Sequence, residues 1–334
     1  MSEPVLDPSS SQCQRLDTLE SEIKSLQEQL ELRKTQYEAE RKARAKVERQ
    51  LQRTLQHELQ TSQGIFVQPI GHLDSCFPNV VGTPRQGALA PSTRAKIVFA
   101  ANVSPHTFEG LEDFSHVWIT FLFHLNTNIK ANKDRPGATA VTYSAKITPP
   151  MLQHKVGIFA TRSPHRPNPV GFTLARLQRI CAQTKTLYVS GVDLVQGTPI
   201  LDIKPYVPYY DCVPEDQLQV ASWISTTIGT RREVTMPEHV REQLKELMPH
   251  QKFYRDDFVQ MCQAIIETLA VDVKSQRQKQ YAERNANCCV QVLDQVVVEY
   301  TCRTPSEGGP ANVLITRVHL YVPNTLQPLD GMPE

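Results

Sequence analysis

Several things are missing from this 334-residue chain, and each absence removes a class of function. No apolar run approaches the roughly 20 residues that a helical membrane span requires. The N-terminus, Met-Ser-Glu-Pro-Val-Leu-Asp-Pro, has no apolar core and no arginine run, so neither secretion nor organelle import is signalled. Charge of either sign is not in excess: 36 Lys and Arg face 35 Asp and Glu. A neutral total argues against a general nucleic-acid coat protein and leaves a local basic patch open. None of the eight cysteines stands in a C-x-x-C pair, so reduced thiols are expected, with neither a disulfide framework nor a zinc site. The adjacent Cys288 and Cys289 read as sheet residues. No glycine-rich dinucleotide fingerprint and no phosphate-binding loop occurs. The compartment expected is the cytoplasm, with the nucleus the other choice.

What is present divides into unlike parts. Residues 11–62 hold no Gly and no Pro and are rich in Gln, Glu, Lys, Arg and Leu. Leu16, Leu19, Ile23, Leu26 and Leu30 step by three and four, which is a heptad seam. The seam weakens around Arg33, Glu40 and Arg44 and resumes at Leu51, Leu55 and Leu59 with a changed spacing. The segment reads as a coiled coil that dimerises or docks a partner, or as a long solvated helix. Gln63-Gly64 is expected to end it.

From Ile65 the texture changes to short strands, expected at Ile65–Gly71, Lys96–Ala100, Val117–Phe123, Val156–Thr161, Leu187–Val195 and Pro199–Lys204. Short helices are expected after Ser104 and around Leu111. Strands without long intervening helices predict a mainly β core, a barrel or a sandwich. The segment 215–236 reads as a linker. Pro237 opens a helical stretch in which Phe258, Met261, Cys262, Ile265, Ile266 and Leu269 share one apolar face. A basic run, Lys274 to Arg284, follows. Two strands, Val290–Tyr300 and Val313–Val322, with a turn at Thr304–Pro310 between them, complete a small C-terminal α+β unit. The domains expected are thus 1–62, 64–214 and 237–325.

Two segments concentrate chemistry. Thr161-Arg-Ser-Pro-His-Arg-Pro-Asn-Pro-Val-Gly171 carries Arg162, His165, Arg166 and Asn168 between three prolines. The prolines fix φ and block a helix, so the cations sit on a stiff support. Arginine presents a planar fork to carboxylate or phosphate. The plain alternative is a surface loop paired with local acids. In the second segment, Gly191 to Tyr206, Asp193 and Asp202 interrupt apolar strand runs. A buried carboxylate needs a partner; Lys204 and the two arginines are available. Asp202 reads as structural, and Asp193 is open between function and salt bridge. His124, at the end of an apolar strand, reads more simply as a strand-end residue than as a catalyst. On residue chemistry alone, the chain is a β-rich core with a rigid cationic loop for an anionic small molecule or RNA.

The strings themselves go further. Thr161 to Gly171 resembles the T-R-S-x-x-R-P-N-P-I-G signature of the TsaA-like family, also called TrmO. Asp193-Leu-Val-Gln-Gly-Thr-Pro-Ile-Leu-Asp-Ile-Lys-Pro-Tyr206 is similar to its second signature, D-L-x-D-G-T-P-V-x-D-I-K-P-Y. Pro84-Arg-Gln, Gly110 to Trp118 and Phe123-His124 fit in order. The resemblance covers about residues 65–214 strongly and 250–322 weakly.

It implies a small β-barrel methyltransferase that uses S-adenosylmethionine and acts as a homodimer. The substrate implied is N6 of threonylcarbamoyladenosine at position 37 of tRNA, beside the anticodon. Carried over by position, Gln86, Gly87 and Ala88 form the cofactor loop, and Phe123 and His124 flank the cofactor. Arg162 meets its carboxylate, Phe172 gives apolar contact, and Ser190, Gly191, Val192 and Asp193 line the adenosine part. The family's Gln-Pro-Gly is Gln-Gly-Ala here, and Gln196 stands where the family often has Asp. No general base is implied. Phosphate contacts are expected from Arg166, Lys204, Lys274, Arg277 and Lys279, with solvated-helix charge the alternative for the last three. The alternative to an enzyme is a non-enzymatic cofactor- or RNA-binding adaptor that acts through its coiled coil.

Overall fold

The computed structural model describes residues 8–57, 67–125, 129–131, 139–141, 143–149, 152, 154–228, 231–271, 288–303 and 311–322. The chain forms two units, divided after Val67. Among the described residues, no helix is long and apolar enough to cross a membrane.

The first unit is built on a single 50-residue helix, α1 (Pro8–His57). Gln, Glu, Lys, Arg and Leu lose little side-chain freedom in a helix, which accounts for its length without a break. Leu19, Ile23, Leu26 and Leu30 are each more than half exposed along it. The expected helix end at Gln63-Gly64 lies outside the described residues.

The second unit holds a closed antiparallel barrel of six strands. These are β1 (Gly71–Ser75), β2 (Arg94–Phe99), β3 (His116–Leu122), β8 (Val170–Cys181), β9 (Thr186–Ser190) and β10 (Pro199–Pro205), in the order β1-β10-β3-β8-β9-β2. Two small ribbons lie between β3 and β8 in the chain: β4 (Ile129–Ala131) with β5 (Thr139–Val141), and β6 (Lys146–Ile147) with β7 (Val156–Gly157). Alternation decides what faces inward. Leu73, Ala95, Ile97, Val117, Ile119, Phe121, Ala175, Leu187, Val189 and Ile200 fill the interior. Closure removes the exposed sheet edges that an open sheet would present. Register shifts on β10 between Ile200 and Asp202, and on β8 between Leu177 and Arg179, add bends of the kind that closure needs.

Helix α2 (Pro208–Asp211) follows the barrel, and α3 (Ser222–Ile228) lies in what the sequence presents as a linker. That segment also contributes a strand, β11 (Val234–Thr235), which joins a second sheet in the order β11-β14-β13-β12. Its other members are β12 (Cys288–Leu293), β13 (Val296–Arg303) and β14 (Asn312–Leu320), with α4 (Glu238–Leu247) and α5 (Phe258–Ala270) completing the C-terminal part. Met261, Cys262, Ile265 and Leu269 of α5 are buried, and Phe258 and Ile266 pack against them.

Several local expectations shift. The first strand begins at Gly71 instead of ending there. Val156–Thr161 is extended only over Val156–Gly157 and then turns as a 3-10 helix, Ile158–Ala160. The apparent strand Val290–Tyr300 is a hairpin, turning at Asp294, which adopts φ +53. The Asp294 carboxylate accepts from the Lys252 and Phe253 amides, at 3.0 and 2.7 Å to Oδ2, which holds the turn without a glycine. Cys289 is buried in this sheet, and Cys76, Cys181, Cys212, Cys262, Cys289 and Cys302 are free thiols.

The C-terminal part is fastened to the barrel by polar contacts around β1 and β2. Asp74 takes Lys252 at 2.6 Å and Lys96 at 3.3 Å. Arg94 pairs with Asp257 and donates to the Phe253 carbonyl at 3.0 Å. Buried Glu267 on α5 accepts from the Ser92 amide at 2.8 Å and the Ser92 hydroxyl at 3.0 Å. The Tyr254 hydroxyl donates to the Ser92 carbonyl at 3.0 Å. The Ser92 contacts fix the segment just before β2, whose Thr93 bonds to Gly191 and Val192 at the functional site.

Candidate active site

A large cavity of about 1320 Å³ opens at one end of the barrel. The segment before β2, the end of β3, the Pro-rich loop, the stretch after β9 and α3 all contribute to its lining. Most of that lining is apolar, and Arg85, His124, Arg162, His165, Arg166 and Asp193 supply its ionisable groups.

Asp193 is the best-defined of these. It does not sit within a strand, because β9 stops at Ser190 and Gly191 takes φ +68. That conformation is open to glycine and turns the chain inward. The Gly191 amide donates to the Thr93 carbonyl at 2.9 Å, and the Val192 amide to the Thr93 hydroxyl at 2.9 Å. Glycine is also required opposite: a Cβ on Gly87 would lie 1.9 Å from the Gly191 carbonyl oxygen. The two segments therefore meet backbone to backbone, and Val192 is driven into the core. Asp193 follows, with its carboxylate accepting from the Thr173 hydroxyl at 2.7 Å. Burial pushes its carboxyl up to about 6, against the lowering effects of Thr173, of its own amide and of the Arg162 charge.

Arg162 is exposed and donates to the Gln86 side-chain carbonyl. The cation thus reaches the cavity beside Gln86 while Asp193 faces it from the barrel. Arg166 is partly buried; its Nη1 donates to the Thr161 carbonyl at 2.7 Å. Both arginines project from the Pro-rich loop. Phe159 precedes that loop, with the Arg166 guanidinium over its ring at 5.6 Å. His124 is held below its usual range by burial first and by His72 second.

Of the residues expected at the site, Gln86, Phe123, His124, Arg162, Phe172 and Asp193 line this cavity together with Arg166. Gly87, Ala88, Ser190, Gly191 and Val192 do not line it. Gly87 forms the backbone seam behind it, and Ser190 accepts from Gln178 at 2.7 Å. Phe172 is at the rim and stacks on Trp118 with centroids 4.2 Å apart. Asp202 is corrected from a buried acid to a side chain 47% exposed, paired with Lys204. Lys204 accordingly lies outside the cavity lining. Lys274, Arg277 and Lys279 lie outside the described residues.

Five contributors are missed from sequence. Thr173, which holds Asp193, was detectable from alternation in Gly171-Phe-Thr-Leu-Ala175, where every second residue is small and faces inward. Phe159 is hidden by the expectation of a strand through Val156–Thr161. Val220, Trp223 and Ile224 line the cavity from what reads as a linker, and only an apolar cluster in a polar stretch signals them.

The arrangement can hold a zwitterionic or mixed-charge organic ligand. Arg162 offers a planar donor to a carboxylate, Asp193 an acceptor to an amine or hydroxyl, and the remaining wall apolar contact.

Comparison with known proteins agrees with this architecture. Residues 72–212 match the model of the tRNA-methyltransferase O N-terminal domain. A mouse tRNA (adenine(37)-N6)-methyltransferase is 45% identical over 151 residues, 44% of this chain and 32% of the relative. The tRNA (adenine(37)-N6)-methyltransferase of Escherichia coli is 32% identical over 185 residues, covering 54% of this chain and 72% of that protein. A crystal structure of TrmO from Pseudomonas aeruginosa superposes with a TM-score of 0.55 at 28% identity, over 76% of this chain and 97% of that one. The chain belongs to the tRNA-methyltransferase O family, with its barrel as the matched domain. It spans about a third of the length of the mammalian relatives that it matches.

Proposed function

We propose that this chain is an S-adenosylmethionine-dependent methyltransferase that methylates N6 of threonylcarbamoyladenosine at position 37 of tRNA. The observation that carries the reading is the pairing of Arg162 and Asp193 on one cavity in a TrmO-family barrel. The cofactor's amino-acid end holds a carboxylate and an amine, and its adenosine end holds hydroxyls. The donor set fits: Arg162 for the carboxylate, Asp193 for a hydroxyl or the amine, and Phe123 and Phe172 for apolar contact. The cavity volume is ample. A Pyrococcus abyssi relative named as a probable S-adenosyl-L-methionine-binding protein is 35% identical over 150 residues.

When bound, the cofactor supplies a methyl carbon made electrophilic by its sulfonium. The chain's task is then to bind, orient and exclude water, since alignment of the two reactants removes much of the barrier. Arg162 and Asp193 orient, and the apolar walls exclude water. The general base stays unassigned.

The macromolecular partners follow from the same reading. Lys204, Lys274, Arg277 and Lys279 serve the phosphates of the anticodon arm, which makes affinity salt-dependent. The working form is a homodimer in the cytoplasm, and the exposed Leu19, Ile23, Leu26 and Leu30 of α1 support a coiled-coil partner contact.

Mass spectrometry of tRNA nucleosides from cells with and without this protein tests the assignment. The expected outcome is loss of the N6-methyl from threonylcarbamoyladenosine in the deficient cells. An unchanged nucleoside profile rejects the substrate.

A further inference from the structure

The cavity exceeds what one small ligand fills. Sites for such ligands span roughly 300–1,000 Å³, and this one measures about 1320 Å³. A second occupant therefore has room. Phe159 lines the cavity and is yet 75% exposed, an unusual setting for a large apolar ring beside a buried neighbour, Ile158. Its presentation is built. The Thr161 amide and hydroxyl donate to the Ile158 carbonyl at 3.2 and 2.8 Å, closing the 3-10 turn that carries the ring. Arg166 lies over the ring at 5.6 Å and is anchored through Nη1 to the Thr161 carbonyl. Guanidinium carries five N–H donors in a fixed plane, so anchoring through Nη1 leaves others for a ligand.

A rigid aromatic ring with an arginine plane beside it is how unpaired nucleobases are held in many single-strand and RNA sites. Enzymes that act on a base take it out of its stack and hold it against such a surface.

We propose that Phe159 is the platform on which the methyl-accepting purine stacks, and that Arg166 pairs with the carboxylate borne by that purine's N6 substituent. This rests on the functional reading above and assigns the second occupant of the same cavity. An adenine without the carboxylate keeps the ring contact and loses the ion pair. Discrimination between modified and unmodified adenosine then lies with Arg166.

The test uses the full chain as wild type, Phe159→Ala, Phe159→Leu, Phe159→Tyr and Arg166→Gln. Calorimetry measures S-adenosylmethionine affinity. Steady-state methyl transfer uses anticodon stem-loops that carry threonylcarbamoyladenosine. Phe159→Ala is expected to lower kcat/KM about 5- to 150-fold, the range that loss of one base–aromatic stack gives, with cofactor affinity unchanged within about twofold. Phe159→Tyr restores most of the activity and Phe159→Leu does not. Arg166→Gln loses activity on the stem-loop and weakens its binding, while binding of the unmodified-adenosine stem-loop changes little. Wild-type turnover by Phe159→Ala, rescue by Phe159→Leu, or a matching loss of cofactor affinity overturns the platform. So does a changed oligomeric state with unchanged kinetics, which would make Phe159 a contact between copies. Should the wild type bind cofactor and transfer no methyl, the functional reading fails by itself. Added fluorescence quenching of Phe159→Trp over wild type by the stem-loop then decides the platform: quenching supports it and none rejects it.

Discussion

The two sides of the cavity are stiffened by opposite means. The side with Phe159, Arg162 and Arg166 is largely at the surface, and prolines at 164, 167 and 169 hold it. The side with Gly191, Val192 and Asp193 is held from within by Thr93 and Thr173. One wall is rigid because its backbone has few conformations to lose. The other is rigid because the Gly191 and Val192 amides bond to Thr93 and the Asp193 carboxylate to Thr173. The contrast has a functional consequence. The cationic wall can take substitutions of single side chains without disturbing the fold, whereas the acidic wall is part of the fold.

The largest effect should come from the backbone seam. In Gly87→Ala the new Cβ would sit 1.9 Å from the Gly191 carbonyl. Crowding of this kind costs about 1–3 kcal/mol, and here backbone must move. Thermal denaturation should show a melting temperature lower by several degrees, with cofactor binding lost as Asp193 moves. An unchanged melting temperature would show that the two walls are not built as described.

Next is the titration of Asp193. Its folded value near 6 lies above the roughly 3.9 of an unfolded aspartate. Between these values the folded chain keeps a proton that the unfolded chain has released, so this group's contribution to stability falls as pH rises from about 4 to about 6. Asp193→Asn should flatten that slope in denaturant titrations. Cofactor affinity should run the other way, weakening as pH drops below about 6, because the acceptor is then protonated. An affinity with no pH dependence over this range in the wild type would remove Asp193 from the site. Thr173→Val, which takes away a bond that favours the carboxylate, should move the transition to higher pH.

The smallest effect belongs outside the cavity. Lys204 pairs with Asp202 at the exposed barrel surface, and exposed pairs contribute about 0–1 kcal/mol. Lys204→Ala should leave stability within about 0.5 kcal/mol of wild type, and affect tRNA affinity mainly through its salt dependence.

The same contrast explains what could be read from sequence. The Pro-rich wall announced itself, because prolines and arginines carry their meaning locally. The acidic wall was half legible: Asp193 stood out in an apolar run, but its partner Thr173 lies twenty residues away on β8. That strand was itself missed, since the Arg and Gln side chains on its outer face mask the small inner residues. The barrel was legible as short alternating strands, and closure followed from pairings too distant for local patterns to show. The hairpin at Asp294 was read as one strand because its turn has no glycine or proline. Asp202 looked buried because its strand neighbours are apolar, and the register shift beside it leaves it facing outward.

The most direct test of the central claim is a calorimetric titration of S-adenosylmethionine into the wild-type chain and Arg162→Ala. The account predicts saturable binding to the wild type and at least about tenfold weaker binding to the variant, consistent with loss of a charge-assisted bidentate contact worth about 1.5–3 kcal/mol, while the melting temperature stays the same because Arg162 is exposed. Equal affinities in the two proteins, or no binding to the wild type, would contradict it.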